Sequence, residues 1–168
     1  PAFEPDEVVP VLCNRLDNLP LALELAAARI RILSPAQLQT RLTERLDLLK
    51  AGRDADPRQQ TLRATIEWSH DLLDEEEQRL FARLAVFRGG CTLEAAENVA
   101  DAELDTLQSL VDKSLVRHTS ERFWMLETIR EYAAERLEHE GRDGDGLRQR
   151  HAAYFLRLAE EAEPHLTG

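Results

Sequence analysis

The residues that could carry chemistry in this chain are its histidines, its cysteines, its acidic clusters and any glycine-rich loop able to hold a phosphate. A phosphate-binding P-loop needs the pattern G-x-x-x-x-G-K-[ST], in which backbone N–H groups and a lysine surround the phosphates. The dipeptide Gly-Lys does not occur in the sequence, and no G-x-G-x-x-G motif precedes a predicted helix. The chain is therefore not a complete NTPase, and we expect it not to be an enzyme by itself.

Metal and nucleophile sites are not indicated either. The five histidines fall in different predicted elements without H-x-x-x-H spacing, and Cys13 and Cys91 are too far apart for a zinc-binding pair. We interpret both cysteines as packing residues, and His151 as a partly buried histidine on an apolar helical face. The acidic run at residues 74–77 is interpreted as a helix start, where carboxylates stabilise the helix dipole.

The composition restricts the class of protein. The chain has 168 residues, 43% of them hydrophobic, which is enough for a packed core. Lys+Arg 21 against Asp+Glu 32 gives a formal net charge of −11. No segment is basic, so the positive surface expected of a nucleic-acid-binding protein is missing at this level. No apolar run is long enough to span a membrane, and the two cysteines fit a reducing cytoplasm.

The spacing of apolar residues predicts a mainly α protein. Pro20 fits the first turn of a helix that is apolar nearly all round, and Ser34 to Gln37 reads as a capping box that opens the next helix. Asp74 and Thr92 are predicted helix caps. Helices are predicted near residues 6–17, 19–29, 35–49, 58–73, 75–87, 93–100, 103–112, 126–140 and 147–163. The last is expected to turn Leu147, His151, Tyr154, Phe155, Leu158 and Ala162 inward, and the helix at 103–112 to bury Leu104, Leu107 and Val111.

Two short segments break the helical period. Residues 114–118 and 122–126 are rich in β-branched and aromatic side chains and are separated by residues 119–121, which predicts a β-hairpin. A hairpin is marginal alone and must pack on helices. Three helices followed by a hairpin predict a winged helix, with further helices on both sides.

Winged helices commonly bind DNA by placing the helix before the wing in the major groove. Here that helix, at residues 103–113, carries three carboxylates and one lysine. The wing adds Arg117 and Arg122, offset by Glu121. Because such a charge would be repelled by phosphates, we do not expect this segment to bind duplex DNA directly.

Several stretches resemble a known family. Asn18-Leu19-Pro20-Leu21-Ala22 is similar to the G-L-P-L-A region of NB-ARC-type STAND ATPases, and further similar stretches lie at residues 59–73, 84–87, 110–116 and 125–133. Together they resemble the NB-ARC portion of large bacterial regulators of the LuxR and AfsR type. The resemblance implies a small helical domain at 1–56, a winged-helix domain at 57–126 and the entrance to a helical, TPR-like sensor at 127–168, all C-terminal to a P-loop domain that is missing here.

The resemblance also implies candidate binding residues. Pro20, with Leu21 beside it, matches the proline that packs against the adenine of bound nucleotide, and Asn18 replaces the motif's glycine at a position where asparagine tolerates a positive φ. Met125, Leu126 and Glu127 match a Met-His-Asp motif whose histidine contacts the β-phosphate of ADP. Leu126 cannot donate a hydrogen bond, so the phosphate contact stays unassigned.

The implied mechanism is a nucleotide-gated switch. ADP would hold the missing P-loop domain closed against this segment, and exchange for ATP would release it and allow homo-oligomerisation. By itself the chain is expected to bind neither nucleotide tightly. Two alternatives remain open, a winged-helix DNA-binding domain of a transcription factor and a helical protein-interaction scaffold.

Overall fold

The computed structural model describes residues 8–49, 56–139 and 142–166. Over these ranges the protein is mainly α with one antiparallel hairpin, as predicted. In chain order the elements are α1 (Val8–Arg15), α2 (Pro20–Arg29), α3 (Pro35–Leu49), α4 (Pro57–Asp71), α5 (Glu75–Leu84), α6 (Leu93–Ala100), α7 (Leu104–Asp112), β1 (Arg117–Thr119), β2 (Arg122–Trp124), α8 (Glu127–His139) and α9 (Arg142–Leu166).

The elements pack as two compact units, the first containing α1 to α4 and the second α5 to α9 with the hairpin. The core of the first unit is a cluster of leucine and alanine side chains around Trp68, which is only 3% exposed. Helix α4 contacts both α2 and α3. Its buried face, which includes Ala64 and Trp68, joins the apolar stripe of α2.

A buried arginine lies inside this first unit. Arg29, at the end of α2, is 3% exposed and donates from its guanidinium to the backbone carbonyl of Ser69 at 3.1 Å. Ser69 is in the last turn of α4, where carbonyls lack helical partners and the helix dipole favours a positive charge. This contact ties the end of α2 to the end of α4.

The second unit packs α5 against α8 and α6 against α9. The rings of Phe81 and Tyr132 lie 6.3 Å apart across the α5–α8 contact. Leu107 and Leu110 from α7 are fully buried, as are Leu115 and Val116 just before the hairpin. These side chains are part of the core of the second unit.

The helix starts predicted at Pro20, Ser34 and Thr92 are confirmed, and the cap at Asp74 stays a prediction. Ser34 and Gln37 bond reciprocally, each side chain accepting from the other residue's backbone N–H at 3.0 and 3.3 Å. Pro20 is at the first position of α2. Thr92 accepts from the N–H of Ala95 at 3.2 Å. The acidic run does begin α5, with three glutamates in its first turn. Residues 50–57 are polar and contain Gly and Pro, which predicts a linker; this segment lies mostly outside the described residues.

The burial predictions for α7 and α9 are wrong at four residues. Leu104 is 55% exposed because it is the first residue of α7, and the buried stripe of this helix runs through Leu107 and Leu110 instead. In α9, Leu147 and Tyr154 are buried as predicted, but Phe155 and Leu158 are 38% and 46% exposed and Ala162 is exposed as well. The inward stripe therefore ends one turn after His151.

The compact units do not follow the predicted domain boundaries at 56/57 and 126/127. Helix α4 packs in the first unit rather than with the winged helix, and α8 and α9 pack in the same unit as the hairpin. The compact units do not test whether 1–56, 57–126 and 127–168 are separate domains, so this division stays a prediction.

The loop before α6 depends on one glycine. Gly90 has φ +78°, and a Cβ on it would lie 2.5 Å from the carbonyl oxygen of Phe123. Gly89 beside it has no atom within 4 Å of such a Cβ. We expect Gly90→Ala to lower the free energy of unfolding by about 2 kcal/mol or more and Gly89→Ala by less than about 0.5 kcal/mol. Urea denaturation followed by far-UV circular dichroism measures both, and equal losses would contradict the assignment.

The hairpin turn is strained. Ser120 and Glu121 have φ values of 46° and 68°, the left-handed region that a two-residue hairpin turn requires and that Asn-Gly fills best. We expect the double change Ser120→Asn/Glu121→Gly to raise the free energy of unfolding by about 1 kcal/mol, because it relieves this strain. Glu121→Val, which places a β-branched residue there, should lower it. A loss of stability in the Asn-Gly variant would show that the turn is not of this type.

Candidate functional site

The wing is completed by a third backbone segment. Cys91 forms a bridge with Phe123 of β2, with both N–H···O distances at 2.8 Å. In the hairpin itself Arg117 pairs with Trp124, His118 with Phe123 and Thr119 with Arg122. The order is thus helix, bridge, two helices and hairpin, the connectivity of a winged helix-turn-helix.

An arginine side chain fixes the wing against the loop after α5, and two aromatic rings stack within the hairpin. Arg122 donates to the carbonyls of Gly89 and Gly90 at 3.1 and 2.9 Å. His118 stacks on the ring of Phe123, with the centroids 4.5 Å apart. Trp124 remains 37% exposed. Arg122, one of the two arginines of the wing, is thus bonded to backbone carbonyls.

Helix α7, which precedes the wing, is held by a buried carboxylate. Glu77 of α5 is 5% exposed and accepts from the Ser109 hydroxyl at 2.6 Å. Two acidic side chains, Asp105 and Asp112, lie on the exposed part of α7, and Glu103 is exposed just before it. The face that a winged helix would present to DNA is therefore negative, as the sequence predicts.

The turn between α6 and α7 is also held by charged groups. Asp101 adopts a left-handed conformation with φ 55° and accepts from Arg83 at 2.7 Å and from Arg150 at 2.9 Å. Beside it is a cleft of about 160 Å³ whose lining includes Arg79 and Glu103. Because acidic and basic groups alternate around the cleft, it does not have the single sign of charge expected of a phosphate site.

The residues predicted to contact adenine lie in the first unit. Asn18 has φ 51°, a left-handed conformation that asparagine tolerates better than most residues. Pro20 is exposed and Leu21 half-buried at the start of α2. Asp17 of the same turn accepts from the hydroxyl of Thr61 in α4 at 2.7 Å. The turn is thus fixed to α4.

The residues that match Met-His-Asp lie in the second unit. Met125 and Leu126 are half-buried between β2 and α8, and the Leu126 carbonyl accepts from the N–H groups of Ile129 and Arg130 at 2.9 Å each. Glu127 accepts from Arg130 at 2.9 Å, and this hydrogen bond lowers the pKa of Glu127. Leu126 therefore acts in starting α8, and Glu127 is already paired.

No metal site is found among the residues that the structure describes, where no group of three histidine, cysteine, aspartate or glutamate side chains converges. Within the same ranges no helix is both long and apolar enough to cross a bilayer. Cys91 is buried, and this burial raises the pKa of its thiol to about 11, against the smaller opposing effect of Arg122. Such a thiol is a packing residue and a poor nucleophile at neutral pH.

Comparison with known proteins agrees with the observed connectivity. The family described as "Winged helix-turn-helix domain" matches residues 73–138, which include α5 to α7, the hairpin and most of α8. The chain therefore contains a winged helix-turn-helix domain, and the predicted fold class is confirmed. The match begins at residue 73, after α4, whereas the predicted winged-helix domain begins at residue 57 and includes α4.

Longer bacterial proteins contain a similar segment. A Mycobacterium tuberculosis protein that bears the provisional name HTH-type transcriptional regulator Rv0890c is 47% identical over 160 residues, which are 88% of this chain and 18% of the relative. The uncharacterized protein Rv0894 of the same species is 40% identical over 156 residues, or 83% of this chain and 39% of that protein. This chain thus spans less than a fifth of the first of these relatives. No solved structure matches it significantly.

Several residues that position the site were missed by sequence analysis. The contacts Arg122 to Gly89, Glu77 to Ser109 and Asp17 to Thr61 join residues more than thirty positions apart, so no local pattern identifies them. The turn at Gly90 could be predicted from the sequence, because a Gly-Gly pair after a helix marks a backbone turn.

Cysteine reactivity tests the packing assignment. In a Cys13→Ser variant only Cys91 remains, and at pH 8 a thiol with a pKa of about 11 is ionised to roughly one part in a thousand. We expect its alkylation by iodoacetamide to be slower by about two orders of magnitude than that of the half-buried Cys13 in a Cys91→Ser variant. The Cys91 rate should rise about tenfold per pH unit up to pH 10. Equal rates at pH 8 would contradict the burial of Cys91.

Proposed function

We propose that this chain is the winged-helix segment of a bacterial transcriptional regulator. The observation that carries the proposal is the helix-turn-helix and wing at residues 73–138, in which the Cys91–Phe123 bridge anchors the hairpin. The name of the first relative points to the same role. Of the functions weighed from the sequence, the winged-helix transcription factor has more support from these findings than the nucleotide switch.

Within this role, the charge of α7 limits how the segment can contact DNA. Affinity for duplex DNA comes largely from Lys and Arg that displace counterions from phosphates. The exposed part of α7 offers Asp105 and Asp112, and Arg122 of the wing is bonded to backbone carbonyls. We therefore propose that the segment alone binds random duplex weakly, and that its surfaces serve largely in contacts between proteins.

Fluorescence anisotropy with a labelled random duplex tests whether the segment alone binds DNA weakly. In about 150 mM salt we expect no saturable binding below ~10 µM chain, because α7 repels phosphates. The variant Glu103→Lys/Asp105→Lys should bind the duplex at least about tenfold more tightly than the unmodified chain. The control variant Glu160→Lys/Glu161→Lys makes the same charge change on α9 and should bind less tightly than the α7 variant. Sub-micromolar binding by the unmodified chain would show instead that the winged helix binds DNA directly.

A nucleotide switch is the second candidate, and one observation favours it. The turn at Asn18 has the positive φ that the G-L-P-L-A resemblance requires, and Pro20 is exposed at the start of α2. In this proposal ADP or ATP is held mainly by a P-loop domain of a longer chain, Pro20 packs on adenine, and residues 8–166 carry out no hydrolysis. Unequal affinity of the nucleotide for closed and open arrangements would drive the switch.

Nucleotide binding in a chain that carries a P-loop domain tests this second candidate. Pro20→Ala should weaken ADP binding by about five- to tenfold in calorimetry, since it removes apolar contact with the adenine. Pro35→Ala is the matched control, because Pro35 also starts a helix but lies outside this turn. An unchanged dissociation constant for Pro20→Ala would remove the adenine contact from the proposal.

A further inference from the structure

Helix α9 is held on the second unit by three side chains along one face. Leu147 and Tyr154 are buried, and His151 between them is half-buried. Every other side chain from Asp145 to Glu163 is exposed. The spacing of four and three residues places the three side chains on one stripe of the helix. A residue of the type that titrates between pH 5 and 8 therefore occupies the middle of the contact.

The His151 ring lies beside two phenylalanine rings. Its centroid is 5.3 Å from that of Phe87 and 4.7 Å from that of Phe155. Phe87, in the segment after α5, is only 5% exposed. Among the residues that the structure describes, none accepts a hydrogen bond from the ring nitrogens of His151. This contact suits a neutral imidazole, because a charged one would lose hydration without gaining a carboxylate partner.

The charges around His151 do not offset this effect. Burial lowers the pKa of the His151 imidazole below its ordinary value. Asp101, the carboxylate at the end of α6, is already shared by Arg83 and Arg150. The other charged or titratable groups on the segments packed around His151 are exposed, namely Arg88, Glu97, Glu138, His139 and Arg148.

Helix α9 lies outside the residues that define the winged helix-turn-helix, since the family match ends at residue 138. Besides the packed stripe, the ion pair of Arg150 with Asp101 ties α9 to the end of α6. Both side chains of this pair are exposed, so the pair is weak. Loss of the packing at His151 would thus leave α9 poorly held, while α5 to α8 keep their own core around Phe81 and Leu107.

We propose that His151 is a pH-sensitive switch for the attachment of α9. With a neutral ring, α9 stays packed on Phe87, and protonation of the ring releases the helix and uncovers Phe87. Because the docked helix binds the proton less readily than the released one, docking is complete above about pH 6.5 and weakens as the pH falls below it. The switch is independent of whether the segment contacts DNA or protein.

Hydrogen exchange of the 168-residue chain, followed by mass spectrometry at pH 7.5 and pH 5.5, tests the release of α9. Protection factors, corrected for the intrinsic pH dependence of exchange, should fall at least about threefold at pH 5.5 in residues 147–158 and stay constant in α5. In His151→Phe and His151→Gln, whose side chains do not titrate, the protection of α9 should not depend on pH. His139→Gln is the matched control, because it removes an exposed histidine of α8 and should keep the pH dependence.

Circular dichroism checks that each variant is folded at both pH values. Three results would overturn the proposal: protection of α9 that is the same at both pH values in the unmodified chain, an unchanged pH dependence in His151→Phe, or an equal loss of protection in α5.

Proton NMR titration of the imidazole tests the sign of the effect. The His151 resonance is assigned by its absence in His151→Phe. It should titrate at lower pH in the folded chain than in the chain unfolded by urea, because docking disfavours the charged ring. A midpoint in the folded chain that equals or exceeds the midpoint in urea would show that protonation does not oppose docking, and the switch would be wrong.

Discussion

The second unit depends on the backbone pairing of Cys91 with Phe123. A two-stranded hairpin with three residues in each strand has too few hydrogen bonds to be stable in water. The bridge at Cys91 adds a third backbone segment, and the arginine of β2 bonds the two glycine carbonyls just before it. Gly90 permits this approach because any Cβ there would collide with the Phe123 carbonyl. A wing with a charged, exposed surface can therefore remain ordered.

The same fixed wing bears on function. A winged helix-turn-helix domain supplies two surfaces, the helix before the wing and the wing itself, and either can contact DNA or protein. Here Glu77 holds α7 from its buried side while the exposed side is acidic, and Arg122 of the wing is bonded to the carbonyls of Gly89 and Gly90. The winged helix-turn-helix fold favours DNA as a partner, whereas the acidic surface of α7 favours protein. In the proposed regulator, promoter binding would fall to another segment of the longer chain.

Local sequence patterns predicted the helix starts and the hairpin. Ser34 with Gln37, Thr92, and Pro20 at the start of α2 each act within one turn, so their effect can be derived from spacing alone. Burial was harder to predict: Leu104 and Phe155 lie in apolar patterns yet are exposed, because burial depends on contacts with other elements and not on spacing alone. The placement of α4 in the first unit has the same cause, since it rests on contacts of Ala64 and Trp68 with residues distant in sequence.

The two tryptophans are placed so that each compact unit contains one of them. Trp68 is enclosed in the core of the first unit, whereas Trp124 lies partly in solvent at the wing of the second. A shielded indole emits at shorter wavelength than a hydrated one, so the intrinsic fluorescence of the protein is a sum of two spectrally distinct reporters. Removing either indole would leave a probe confined to one unit, able to reveal whether the two units lose their structure together or in sequence.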